Sequence, residues 1–251
     1  MSLHRRLFLT GTLVLLACCA ALAILPARWI MAAIPDHWPL AVVDANGTLW
    51  SGSATLALGA REHQRTLPAP LRWNTSWSQG PKLTATHPWL NGPVTFKPVW
   101  SGLSISGQSM QLPASALATL DARIAAIGPA GTLSIKWPAT IVGTAARPAG
   151  TSLLKAQWVD AASALTFIRP LGSYTLLLSQ AASGLIDVTL STQQGPLILR
   201  GKGMLDSNKG LQFDGTAQAD QAASDDIHAA LQDVLAALGP QRNNLTLLRV
   251  R

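Results

Sequence analysis

The stretch LQFDGTAQA, residues 211–219, decides the fold class. Leu211, Phe213, Gly215, Ala217 and Ala219 alternate strictly with Gln212, Asp214, Thr216 and Gln218. A period of two puts one set on each side of an extended chain. The same period runs outward from this stretch in both directions. Leu197, Leu199, Gly201, Gly203 and Leu205 alternate with Ile198, Arg200, Lys202 and Met204, and Ile186, Val188 and Leu190 with Asp187, Thr189 and Ser191. Further back, Leu133, Ile135 and Trp137 flank Ser134 and Lys136, and Trp50, Gly52, Ala54, Leu56 and Leu58 alternate with Ser51, Ser53, Thr55 and Ala57. Each run offers one face to a core and one to water, as antiparallel sheets do.

Turn signals punctuate the runs at Asn46-Gly47, Asn91-Gly92-Pro93, Gln194-Gly195-Pro196 and Ser207-Asn208-Lys209-Gly210. Short strands joined by such turns read as consecutive hairpins. Gly52, Gly107, Gly201, Gly203 and Gly215 fall inside or beside strands and no helix start follows them, so they serve bends and close sheet packing rather than phosphate binding. Two short helices are expected. Ser115–Asp121 follows Pro113. Asp225–Leu238 has Ser224 as a cap, two aspartates at its positive end and a stripe of Ile227, Leu231, Val234, Leu235 and Leu238, and it stops at Gly239-Pro240. A last strand is expected over Leu245–Val250. The fold class is therefore mainly β: a curved antiparallel meander or open sheet with one or two short helices.

Composition agrees. The 251 residues are 48% hydrophobic and only 12% charged, and a single Glu leaves little of the usual helix surface. The net charge of +7 is spread out, with no Lys/Arg run and no aromatic interleaving around Arg200, Lys202 and Lys209, which argues against nucleic-acid binding.

The N-terminus is of a different kind. Residues 7–25, LFLTGTLVLLACCAALAIL, carry no charge and would span roughly 28 Å as a helix, the thickness of a bilayer core. Arg5 and Arg6 precede the run and Arg28 follows, which favours a cytoplasmic N-terminus, with Trp29 in the outer interface. Leu7, Leu13, Leu16, Leu25 and Trp29 mark this anchor. A cleaved signal with Ala21-Leu22-Ala23 at its end, or a lipoprotein signal at Leu15-Leu16-Ala17-Cys18, are the alternatives; the length of the apolar run and its continuation past Cys18 favour an uncleaved anchor. All three put the body outside the cytoplasm. The expected organisation is a cytoplasmic tip and inner-membrane anchor over 1–35 and a periplasmic β domain over 36–251, with a seam near 145–150. Cys18 and Cys19 lie in the apolar run, so the body has no disulfide and no cysteine metal site.

No catalytic constellation emerges. His37, His63, His87 and His228 have no metal-binding spacing, and the one glutamate, Glu62, sits in a polar loop. There is no nucleophile elbow and no phosphate loop; Gly102 to Gly107 has the wrong spacing. No cofactor is expected. Trp73, Trp77, Trp89 and Trp100 invite a sugar-binding reading, but burial explains most of them more simply.

Taken together, several elements resemble the protein N family of the type II secretion system. They are an N-terminal anchor leading into Pro26-Ala27-Arg28-Trp29, then Gly47-Thr48-Leu49-Trp50-Ser51-Gly52 and residues 67–73, LPAPLRW. After them come Pro170-Leu171-Gly172-Ser173-Tyr174, residues 192–197, TQQGPL, with Gly201 and Gly203, and Phe213-Asp214-Gly215-Thr216-Ala217 before the final helix. The resemblance implies a non-enzymatic, single-pass inner-membrane protein with a periplasmic β domain, contributing to export of folded proteins across the outer membrane. It implies partners among other inner-membrane components and the secretin, and assigns no catalytic residue. The alternative from another class is a membrane-anchored β groove that binds lipid or another hydrophobe. A long apolar groove would favour the groove reading; a filled core with an exposed edge strand would favour the secretion subunit.

Overall fold

The computed structural model describes residues 13, 24–29, 40–59, 64–78, 80–143, 147–206, 210–242 and 245–250. The chain is mainly β and all strand pairing between its named strands is antiparallel. The first sheet takes β1 (Leu40–Gly47), β2 (Ser51–Leu58), β4 (Leu71–Ser76), β5 (Lys82–Thr86), β6 (Val94–Val99), β7 (Gly102–Ile105) and β10 (Thr140–Gly143), in that order, with the two-residue β3 (Arg65–Thr66) also on β2. The second sheet runs from β8 (Gln108–Pro113) and β9 (Ala130–Trp137) through β11 (Ser152–Ala162), β12 (Gly172–Gln180), β13 (Ile186–Gln194), β14 (Leu197–Asp206) and β15 (Gly210–Ala219) to β17 (Leu245–Val250) and β16 (Gln241–Arg242).

The two sheets share one bent hairpin. Ile105 pairs with Thr140 and Gln108 with Trp137, so the register crosses from the first sheet to the second without a slip. What breaks the ladder is Pro138, which has no N–H to donate, opposite Ser106-Gly107. The indole N–H of Trp137 donates to the Ser106 carbonyl at 3.1 Å and holds the corner. The described strands thus form two antiparallel sheets joined through this hairpin, the mainly β arrangement the alternation implied. The expected seam near 145–150 falls in the connection from β10 to β11, of which residues 147–150 are described; the sheets meet earlier, at Ser106-Gly107 and Pro138-Ala139.

Helices are few. A 3₁₀ turn covers Ala114–Thr119, within one residue of the expected start of the first helix, and α1 (Ala122–Ile127) follows it. The expected second helix is α2 (Asp225–Leu238), with Leu231, Val234 and Leu235 buried and Ile227 and Leu238 packed alongside them. Ser224 occupies the cap position, but its hydroxyl makes no capping bond; its carbonyl instead accepts the His228 N–H at 3.0 Å. The stripe of α2 packs on Ala161, Leu171, Tyr174, Leu197 and Ala217 of the second sheet, which is the main core. Tyr174 donates to the Leu197 carbonyl at 3.1 Å inside this core, and burial pushes its phenol pKa up.

No helix among the described residues is long and apolar enough to cross a membrane. Most of the expected anchor, Leu7 and Leu16 included, lies outside the described residues. Leu13, Ile24 and Trp29 are described and exposed, and Leu25 is half-buried.

Candidate functional site

Among the described residues, no helix packs on the apolar face of the first sheet. Its inward residues, two apart along each strand, face an open groove of about 790 Å³. Leu56 comes from β2, Trp73 from β4, Leu83 from β5, Val94 and Phe96 from β6 and Ile105 from β7. The register puts them in rows: Trp73 stands opposite Ala85, which stands opposite Val94, and Leu83 opposite Phe96, which stands opposite Ile105. Among the described residues of the lining, Thr140 is the one that bears a hydroxyl, and none is charged. The volume is that of an ordinary small-molecule pocket, but the lining lacks the convergent polar groups that orient a polar ligand. Such a surface recognises apolar matter by shape and area, not by hydrogen bonds.

A small buried cluster of Ala27, Ala54 and Trp73 stiffens one end. The Trp73 indole N–H lies 3.0 Å from the Leu49 carbonyl and 3.2 Å from that of Thr48, pinning the β1–β2 turn. The segment after the N-terminal apolar run docks on the same turn: Ala27 N–H donates to Gly47 at 3.0 Å and Leu49 N–H to Leu25 at 2.9 Å.

The sheet ends at β10, a four-residue edge strand with Ile141 and Val142 exposed. Beyond β7 it has no strand partner among the described residues, although the Arg147 guanidinium donates to the Ile141 carbonyl at 2.7 Å. A shallower concavity of about 570 Å³ lies over β13, β14, β15 and β17. Arg200 and Lys202 line it with Asp214 and Arg249, and the last two are spent on each other at 2.9 Å.

The residues singled out from sequence disperse. His37, His63 and Glu62 lie outside the described residues. His87 is a turn brace: its Nε2 lies 3.1 Å from the Ala69 carbonyl, its Nδ1 accepts the Trp89 N–H at 3.1 Å, and its ring meets the Trp89 ring edge-on. His228 sits in the first turn of α2 with Asp225 and Asp226. Of the four clustered tryptophans, Trp73 is buried, Trp89 half-buried, and Trp77 and Trp100 exposed. No group of three or more metal-ligating side chains occurs among the described residues.

A family model for protein N of the type II secretion system matches residues 39–246. The chain belongs to that family. Neither a curated protein nor a solved structure matches it. Membership makes the chain a component of the secretion system, and the matched span contains the first sheet, the groove, the β10 edge and the second sheet up to the start of β17. From sequence the groove stands only as an alternative without lining residues, because alternation looks the same whether or not a helix covers the inner face.

Proposed function

We propose that this protein N is a single-pass inner-membrane subunit of the type II secretion machinery. Its N-terminus is cytoplasmic, residues 36–251 are periplasmic, and it acts without catalysis by binding other secretion-system proteins. The observation that carries the contact mode is β10, whose exposed edge can take a partner strand in the manner of β-augmentation. The apolar run 7–25 supports the anchoring, and tethering raises the local concentration of partners. In cells, a single cysteine at Ile141 or Val142, introduced after Cys18→Ser and Cys19→Ser, should crosslink to a secretion-system protein. A cysteine at Asn91, in the turn between β5 and β6, should not. Equal yields from the two places would sink the reading. Fusion of a periplasm-active alkaline phosphatase after Asp36 checks the topology and should give an active reporter.

A second reading has one specific observation behind it. The bare groove favours an apolar ligand such as a lipid chain. Mass spectrometry of the full chain in mild detergent should then show retained lipid, lost on Leu83→Asp. Protein free of lipid, with crosslinks at β10 intact, would leave the subunit reading alone.

A further inference from the structure

The meander carries three turns of the first sheet to one rim: those between β1 and β2, β4 and β5, and β6 and β7. The same dipeptide occurs at each: Trp50-Ser51 at the end of the first turn, Trp77-Ser78 and Trp100-Ser101 at the start of the other two. Trp29, in the turn hydrogen-bonded to the first of these tips, joins them. Trp50 and Trp77 touch, with ring centroids 5.6 Å apart, so neighbouring tips share one surface. Trp29 and Trp77 are 63% and 61% exposed and Trp100 is fully exposed. Elsewhere the indoles are used inside the fold: Trp73, Trp137 and Trp158 each donate to a backbone carbonyl. Val99 and Leu103 are also exposed beside Trp100. Among the described residues, the cations near this rim include Arg28, Lys82 and Lys97, and the carboxylate is Asp44, which accepts from Asn46 at 2.8 Å.

We infer that this rim lies in the headgroup region of an anionic bilayer, with Trp29, Trp77 and Trp100 as interfacial anchors. The inference rests on the membrane-anchor part of the proposed function. Indole rings prefer the boundary between hydrocarbon and water, where an apolar body and a polar N–H are both served. The excess of cations complements anionic headgroups. The link to the anchor is short, because Leu25, the last residue of the apolar run, is itself hydrogen-bonded to Leu49 in the first tip. A chain that leaves the bilayer at Leu25 has no slack to hold this rim away from the surface. Leu49 also lines the groove, so the groove's rim end is the end turned toward the lipid.

The test uses the full chain with Cys18→Ser and Cys19→Ser, in vesicles of phosphatidylcholine and phosphatidylglycerol. An environment-sensitive NBD label is placed in turn at Trp77→Cys, Trp100→Cys and Asn91→Cys, the last in the turn between β5 and β6 at the opposite rim. Labels at 77 and 100 should emit blue-shifted light that a shallow nitroxide lipid quenches and aqueous iodide does not; the label at 91 should behave the other way. Iodide quenching at 100 equal to that at 91, in protein that resists alkaline carbonate extraction, would overturn the rim while leaving the anchor standing. Extraction by carbonate would instead overturn the anchor. A blue shift at 100 that no nitroxide lipid quenches would mean a protein contact and would also overturn the inference. Equal shifts in vesicles of phosphatidylcholine alone would remove its anionic part.

Discussion

The two sheets are built from the same kind of strand and end in opposite states. In the second, the inner face is dry: α2 lies on it and buries Leu231, Val234 and Leu235 against Leu171, Tyr174, Leu197 and Ala217. In the first, the inner face is as apolar and stays open, as a groove floored by Leu56, Leu83, Phe96 and their neighbours. The cause lies in the connections. The chain between β15 and β17 is long enough to form a fourteen-residue helix that returns across its sheet. In the first sheet, short turns such as Val99 to Gly102 join neighbouring strands directly, and no described helix returns across the apolar face. An apolar face of this extent, uncovered among the described residues, is the mark of an interaction surface.

The sharpest way to break this comparison is to put one charge on each face. Leu231→Asp buries an unpaired carboxylate at a position with no solvent exposure. It should destabilise the protein by at least about 3 kcal/mol, enough to lose the folded second sheet. Leu83→Asp places the same charge at a half-buried site in the open groove, where water reaches it. Its cost should stay near 1 kcal/mol, the ordinary size for a substitution outside a dry core. Urea unfolding of the full chain in mild detergent, followed by circular dichroism, measures both. Similar losses would mean that the groove is closed in solution.

A smaller effect separates the packing of the two faces. A Cβ at Gly201 would collide with the ring of Phe213 on the neighbouring strand, whereas one at Gly52 would meet the Asn46 carbonyl at 2.5 Å as well as the Trp73 ring. Gly201→Ala should cost about 1–3 kcal/mol. Phe213→Leu should recover part of it, because the obstacle is one side chain. Gly52→Ala should not be rescued by shrinking Trp73, since backbone stands in the way. The double-mutant cycle in urea reads the difference; no coupling between Gly201→Ala and Phe213→Leu would show that the ring does not sit on the strand.

What was legible in the sequence follows the same division. Strands such as β13, β14 and β15 alternate cleanly because one face meets α2 and the other meets water. The stripe of α2 was readable for the matching reason. In β12, Leu176, Leu177 and Leu178 run together, and in β11 Leu153 and Leu154 do, so alternation fails there although both are long strands. The helix α1 escaped notice because ARIAAI is too short to show a stripe. The bareness of the first sheet depends on loop length and path, which no local period reports. The rim did leave a signal: three Trp-Ser dipeptides, each followed within two residues by a glycine. Reading it needed the topology that brings those turns to one end.

The finest test exchanges one hydroxyl for one methyl on each face. Thr246, on β17, is 1% exposed, and its Oγ1 has no hydrogen-bond partner among the described residues. It sits opposite Ala217, within the region that α2 covers. A buried hydroxyl without a partner is left with its desolvation cost, while a methyl of nearly the same shape carries none. Thr246→Val should therefore stabilise the protein by up to about 1 kcal/mol. Thr140, half-buried in the groove lining, keeps access to water, and Thr140→Val should change stability by less than about 0.5 kcal/mol. If Thr246→Val destabilises, the Thr246 hydroxyl has a partner in solution and the second core is less dry than it appears. If Thr140→Val stabilises as much as Thr246→Val, the groove face is as dry as the core beneath α2, and the difference between the two sheets would be one of shape without a difference in solvent access.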